Sequence, residues 1–244
     1  MNNFTNIRLW VNQNLATSDN IVLEGEKSHY LNNVMRCQKN DILRCFNADD
    51  GEYECRIEEI SKNKTVIKSL KKCRDAADKP SDVWLLFSPL KKDKTDFVIE
   101  KAVELGVAKI IPVITSRTNA SHIRTERYTA QAIESAEQCG RLSIPEISNP
   151  IDLKKCLNSW NTNRLLYFAD ERQCGEKAVD EFVKNKKCPS AVLIGPEGGF
   201  SDDEAGFINE FSFTRNIKLG PRILRAETAA IAALAVWQSV NGDW

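Results

Sequence analysis

The sequence has only two histidines in 244 residues and no C-x-x-C pair among its eight cysteines. Zinc sites and disulfide frameworks show tighter pairing than cysteines at 37, 45, 55, 73, 139, 156, 174 and 188 provide, so no metal site is expected. The thiols read instead as reduced, mostly buried side chains acting as small apolar groups. A cysteine nucleophile is disfavoured too, because neither histidine stands in a nucleophile motif. No apolar run approaches the length of a membrane span, and Met1-Asn2-Asn3-Phe4 opens no signal peptide, so cytoplasmic residence is the expectation. Net charge is also lacking. Thirty-four basic and 34 acidic residues cancel, which argues against a chain that holds free nucleic acid by bulk charge.

What is present describes a soluble globular chain, with 42% hydrophobic and 28% charged residues. The first 74 residues read as a small β-rich domain. Ile7 to Val11, Ile21 to Leu23, Ile42 to Phe46, Tyr53 to Ile60 and Thr65 to Leu70 are strand candidates, and only Glu26 to Arg36 is a helix candidate. Asp50-Gly51 between two of the strands is a hairpin signal. A polar linker is expected at 75–82, followed by a second domain over 83–244 in which strands and helices alternate. Strands are expected at Val83 to Phe87, Ile110 to Ile114, Leu165 to Phe168, Ala191 to Ile194 and Ile217 to Leu219. Helices are expected at Lys94 to Leu105, Arg124 to Cys139, Leu153 to Trp160, Gly175 to Lys186, Ser201 to Phe211 and Glu227 to Val240. Such alternation gives an α/β fold with a mostly parallel sheet.

Two late loops carry the chemical signal. Gly195-Pro196-Glu197-Gly198-Gly199-Phe200 and Leu219-Gly220-Pro221-Arg222-Ile223-Leu224-Arg225-Ala226-Glu227-Thr228 each follow a strand and run into a helix. Gly-Pro turns at neighbouring strand ends offer bare backbone to a flat ligand, and ligand crevices form at the carboxyl ends of such strands. Neither loop is a P-loop, since Phe200-Ser201 stands where a Lys-Ser/Thr pair is required. The dinucleotide spacing G-x-G-x-x-G is absent as well.

The two loops, with Glu100-Lys101-Ala102-Val103-Glu104-Leu105-Gly106, Glu137-Gln138-Cys139-Gly140-Arg141 followed by Ile144-Pro145, and His29-Tyr30-Leu31 followed by Val34-Met35-Arg36, resemble in order the motifs of the RsmE family. That resemblance implies a SPOUT-type methyltransferase domain with a C-terminal trefoil knot and an N-terminal PUA-like β-barrel for RNA. It also implies S-adenosylmethionine as cofactor, N3 of a uridine in 16S ribosomal RNA as target, the small ribosomal subunit as partner, and a homodimer. A SPOUT enzyme with another RNA target, or a non-catalytic RNA-binding assembly protein, are the alternatives.

On that reading, Gly195, Gly198, Gly199 and Gly220, with the turn at Pro196, let backbone approach the adenosine. Ile194, Leu219, Ile223 and Leu224 form apolar walls, and Arg225 stands at the edge of the cofactor site. Glu197 either contacts the cofactor or is an ordinary turn carboxylate. Arg225 is the first candidate to stabilise charge developing on the uracil carbonyls, with Arg141 or Arg222 behind it. Glu227 either accepts the N3 proton or sits at a helix start for the dipole and for pairing Arg225. Arg8, His29 and Arg36, with Lys91, Lys92 and Lys94, are RNA-contact candidates. The last helix, apolar around nearly its whole circumference, must be covered either by its own domain or by a second copy; the second copy is the expectation, with a charge at Ala233 or Trp237 giving an inactive monomer or aggregate.

Overall fold

The computed structural model describes residues 4–17, 20–76, 81–118 and 123–244. The chain divides into two compact units, Met1–Lys79 with Ala136–Ser143, and Pro80–Ser135 with Ile144–Trp244. Part of the expected linker, residues 77–80, lies outside the described residues.

The first unit contains β1 (Phe4–Trp10), β2 (Ile21–Glu24), α1 (Gly25–His29, running on as a π-helical turn over Tyr30–Val34), β3 (Ile42–Asn47), β4 (Gly51–Ile60) and β5 (Lys64–Arg74). These five strands form one sheet in the order β1-β3-β4-β5-β2. The β3–β4 hairpin turns at Gly51, whose φ of +92° and contact with the Arg74 carbonyl leave no room for a side chain. Alternating residues such as Ile7, Leu9, Leu43, Cys45, Cys55, Ile57 and Ile67 fill the core. Beside that core lies the almost fully buried carboxylate of Glu52 (1% exposed), facing Arg8 at 3.0 Å, Arg74 at 3.4 Å and Arg44 at 3.5 Å. The cysteines depart from expectation in part. Cys37, Cys45, Cys55 and Cys156 are buried, but Cys139, Cys174 and Cys188 are exposed, and all eight are free.

The second unit carries β6 (Val83–Phe87), α2 (Lys92–Glu104), β7 (Lys109–Ile114), α3 (Thr125–Cys139, whose last residues group with the first unit), β8 (Glu146–Ile147), β9 (Ile151–Asp152), α4 (Leu153–Asn158), β10 (Leu165–Ala169), β11 (Glu176–Lys177), α5 (Ala178–Lys184), β12 (Ser190–Ile194), α6 (Asp202–Asn209), β13 (Thr214–Lys218) and α7 (Ala226–Asn241). The sheet runs β11-β13-β10-β12-β6-β7-β8 with every pair parallel, and β9 pairs with β7 off that path. The strand order is not the chain order, because β12 lies between β10 and β6. Every residue of β12 is buried, as a central parallel strand requires. Strand β13 starts three residues before its expected position. Thr214, Arg215 and Asn216 look like loop in the sequence but pair in register with Leu166, Tyr167 and Phe168.

Helix α7 departs from its expected surroundings. Its Ala230, Ala233, Leu234 and Trp237 are buried within this unit, while Ile231, Ala232, Ala235 and Val236 are only partly covered. Ala233 and Trp237 therefore belong to the unit's own core rather than to a contact with another molecule. Among the described residues no helix is long and apolar enough to cross a membrane.

Candidate functional site

The carboxyl ends of β10, β12 and β13 open onto a cavity of about 470 Å³. Its walls include every cofactor-site residue expected from the two late loops: Ile194, Gly195, Pro196, Glu197, Gly198, Gly199, Leu219, Gly220, Ile223, Leu224 and Arg225, with Arg222 beside them, whereas Glu227 is not among the lining residues. A third loop, Ala169, Asp170, Glu171 and Gln173 after β10, completes the wall, and Lys94 from α2 joins it. Sequence reading missed the third loop. The available signal was an acidic pair directly after the end of a buried strand.

The glycines owe their identity mostly to protein neighbours. A Cβ on Gly195 would meet the Phe200 ring at 2.6 Å, and one on Gly198 would meet Arg117 at 3.3 Å. Gly199, at φ +67°, has the Glu171 carboxylate where its Cβ would be. Gly220 differs, with φ +97° and open space on the side a Cβ would take. Of the four, only Gly220 keeps the bare backbone the sequence assigned to a ligand.

The first loop is braced from behind. Phe200 is buried edge-on against Phe168 at 5.1 Å, and the Gly199 N–H donates to the Pro196 carbonyl at 2.9 Å. Ser201 caps α6 in the capping box its sequence predicts: its Oγ accepts from the Glu204 N–H at 3.2 Å, and Glu204 accepts from the Ser201 N–H at 2.9 Å. The same carboxylate accepts from both the backbone N–H and the hydroxyl of Ser116, at 2.6 and 2.9 Å. Burial disfavours charge on Glu204, but the hydrogen bonds from Ser116 and Ser201 prevail and hold its pKa below the usual 4.5. The neighbouring Arg117 guanidinium donates to the Gly198 carbonyl.

The charged groups fall into distinct sets. The Lys94 ammonium stands 3.6 Å from Glu197 and 3.6 Å from Glu227, joining the first loop to the start of α7. Glu227 is thus paired with Lys94, not with Arg225 as expected. One of its oxygens, Oε2, is buried without a hydrogen-bond partner. The Arg225 guanidinium makes no hydrogen bond or ion pair among the described residues and lies exposed on the cavity wall. Arg172, by contrast, is held by Asp170, Asp202 and the Phe200 carbonyl, each at 2.9 Å.

Three expected site residues lie elsewhere or do other work. Arg141 groups with the first unit and does not line the cavity; its Nε donates to Ser143 at 3.1 Å. Arg8 donates to Glu52 and to the carbonyls of Ala136 and Arg141, and stacks 3.5 Å from the Phe46 ring centre, so its donors serve the interior of the first unit. Lys94 lines the cavity itself and pairs there with Glu197 of the wall and, away from the lining, with Glu227. His29 (paired with Asn33 at 2.7 Å), Arg36, Lys91 and Lys92 are exposed. Arg36 adopts a left-handed φ of +52°.

A fully parallel sheet with glycine turns and a cavity at its strand ends, joined to a small β unit, defines an RNA-modifying architecture by comparison. Residues 77–238 match the RNA methyltransferase domain family and residues 23–68 the RNA methyltransferase PUA domain family. The ribosomal RNA small subunit methyltransferase E of Rickettsia conorii is 35% identical, with 93% of each chain covered, and that of Bacillus subtilis 28%, with 91% of each covered. Among solved structures, a methyltransferase from Legionella pneumophila in complex with SAM superposes with a TM-score of 0.88 at 29% identity, covering 98% of this chain and 99% of that one. The methyltransferase E from Neisseria gonorrhoeae, bound to S-adenosyl methionine, gives 0.83 at 26% identity, with 96% and 98% covered. The chain belongs to the ribosomal RNA small subunit methyltransferase E family, RsmE, with a SPOUT-type methyltransferase domain and a PUA domain.

Proposed function

We propose that this enzyme transfers the methyl group of S-adenosylmethionine to N3 of a uridine in the 16S ribosomal RNA of the small subunit. The observation that carries the reading is the Arg225 guanidinium, without a partner among the described residues, on the wall of a cavity built by two Gly-Pro turns. The residues fit the cofactor. A cavity of about 470 Å³ falls in the range of small-molecule sites, Gly220 has open space beside its backbone, and Ile194 and Leu219 offer apolar surface. When bound, S-adenosylmethionine supplies an electrophilic methyl group, and no metal or covalent nucleophile is needed.

The protein's task is then to orient the base and manage charge. Replacing N3–H by N3–CH3 requires loss of a proton, and negative charge grows on the two flanking carbonyl oxygens. Arg225 donates hydrogen bonds to that charge. Glu227 accepts the proton: a buried carboxylate oxygen without a partner is costly, which supports a role that brings it a donor. Arg141 is left out of the chemistry.

His29 and Arg36 of the PUA unit, with Lys91 and Lys92, contact the RNA. The C-terminal segment is threaded as a trefoil knot, a reading supported by the position of β12 between β10 and β6. Two copies associate through the partly covered side of α7 (Ile231, Ala232, Ala235, Val236) and the adjoining exposed Val179 and Val183 of α5. The cytoplasm, where ribosomal subunits are made, is the compartment this implies. Labelled S-adenosylmethionine incubated with small subunits lacking the modification tests the function: label at N3 of one uridine is expected. Label on another nucleotide or on transfer RNA would reassign the target, and no transfer at all would favour a non-catalytic binding role.

A further inference from the structure

The third loop of the cavity contains a carboxylate with no structural employment. Asp170 is buried and paired with Arg172 at 2.9 Å, and Arg172 is satisfied by Asp202 and the Phe200 carbonyl as well. Glu171 stands apart from that network. Its only ion pair among the described residues is a 3.9 Å approach to Arg172, beyond hydrogen-bonding range, and its side chain is 37% exposed on the cavity wall. Its carboxylate nevertheless has a defined seat. It occupies the space beside the Cα of Gly199, where Oε1 leaves no room for a Cβ. Gly199 is bare, in this light, to admit Glu171 rather than the ligand itself.

An exposed acceptor pair, seated against a cofactor-binding loop and not spent on the fold, calls for a ligand with donors. We propose that Glu171 is a cofactor-binding residue whose carboxylate accepts hydrogen bonds from the ribose hydroxyls of the adenosyl cofactor, an assignment that rests on the cofactor reading above. A vicinal diol presents two O–H donors to the two oxygens of a carboxylate, the pairing by which acidic residues hold ribose in dinucleotide sites. Gly199 then acts through Glu171, as the residue that leaves room for it.

Calorimetry with S-adenosylhomocysteine and with 5′-methylthioadenosine, which keeps the ribose but lacks the amino-acid portion, tests this without turnover. Glu171→Ala should lose roughly ten- to hundredfold in affinity for both ligands, as expected for a hydrogen bond to a charged group. Its melting temperature without ligand should stay that of the wild type, because among the described residues Glu171 makes only the long, exposed approach to Arg172. Gly199→Ala should weaken both ligands likewise, and should cost less affinity in the Glu171→Ala background than alone. Unchanged affinity for both ligands in Glu171→Ala would overturn the proposal, and loss confined to S-adenosylhomocysteine would move the contact to the amino-acid portion and overturn the ribose assignment. Failure of the wild type to bind either ligand would instead overturn the cofactor reading itself.

Discussion

At the scale of single residues, Arg225 and Glu204 illustrate two ways a charge is used beside one cavity. Arg225 has no side-chain partner among the described residues, so removing it leaves none of their charges newly unpaired. Arg225→Ala should lower single-turnover methylation on the order of 10²–10³-fold, the usual cost of a lost donor to developing negative charge. Cofactor affinity by calorimetry should stay within a few-fold. Equal losses in rate and affinity would make Arg225 a cofactor ligand instead. Glu204 is the opposite case, a buried carboxylate receiving three hydrogen bonds that join the Ser116 turn to the cap of α6. Glu204→Gln exchanges an acceptor for a donor there and should destabilise the fold by about 1–3 kcal/mol at neutral pH. Because the folded-state pKa is depressed, this stabilisation is present above the unfolded-state value and is lost as pH falls through the folded one. The gap between wild type and variant in denaturant titrations should therefore close in acid. A gap that is constant with pH would mean that ionisation of Glu204 contributes nothing.

At the scale of elements, α7 has two apolar sides, of which one is covered within its own unit. Ala230, Ala233, Leu234 and Trp237 are covered by this unit, and Gln238 donates to the Leu105 carbonyl behind them. A charge at Ala233 or Trp237 would disrupt that core and say nothing about assembly. Val236 and Ala232 lie on the partly covered side of α7, a helix that packs against α5, where Val183 is 58% exposed. Val236→Glu should therefore leave the fold intact by circular dichroism while converting a dimer to a monomer in sedimentation, with loss of methylation. A wild type that sediments at one chain mass would remove the dimer from the proposal.

At the scale of the whole chain, the two units are not simply consecutive, because residues 136–143 return to the first one. Their backbone carbonyls accept from Arg8 and Arg74, and the Glu137 carboxylate accepts from the Trp10 N–H at 2.9 Å. Deleting everything before residue 80 would leave that segment without its partners, so truncation confounds RNA binding with folding. A point change separates them. Arg36→Glu, at an exposed left-handed position of the PUA unit, should weaken binding to the small subunit and flatten its salt dependence by about one phosphate contact, with cofactor affinity unchanged. An unaltered salt slope would remove Arg36 from the RNA surface.

The sequence by itself determined what short-range rules govern. Period-two and helical patterns located the longer strands and the helices but not the two-residue strands β8, β9 and β11, Ser201 and Glu204 announced the start of α6, and the Gly-Pro turns after β12 and β13 marked one wall of the cavity. Its errors have a common origin. Thr214 to Asn216 form strand because β10 supplies their hydrogen-bond partners, not because of any local preference. Arg8 looked like a surface cation until Glu52 and three backbone carbonyls on a distant segment came to meet it. Only the tertiary structure could bring Lys94 between Glu197 and Glu227, set Glu171 against Gly199, and turn one side of α7 inward. Each of these depends on which strands and helices become neighbours, above all on β12 entering between β10 and β6. That choice is made by the packing of the entire core, to which every residue contributes and which no local pattern records.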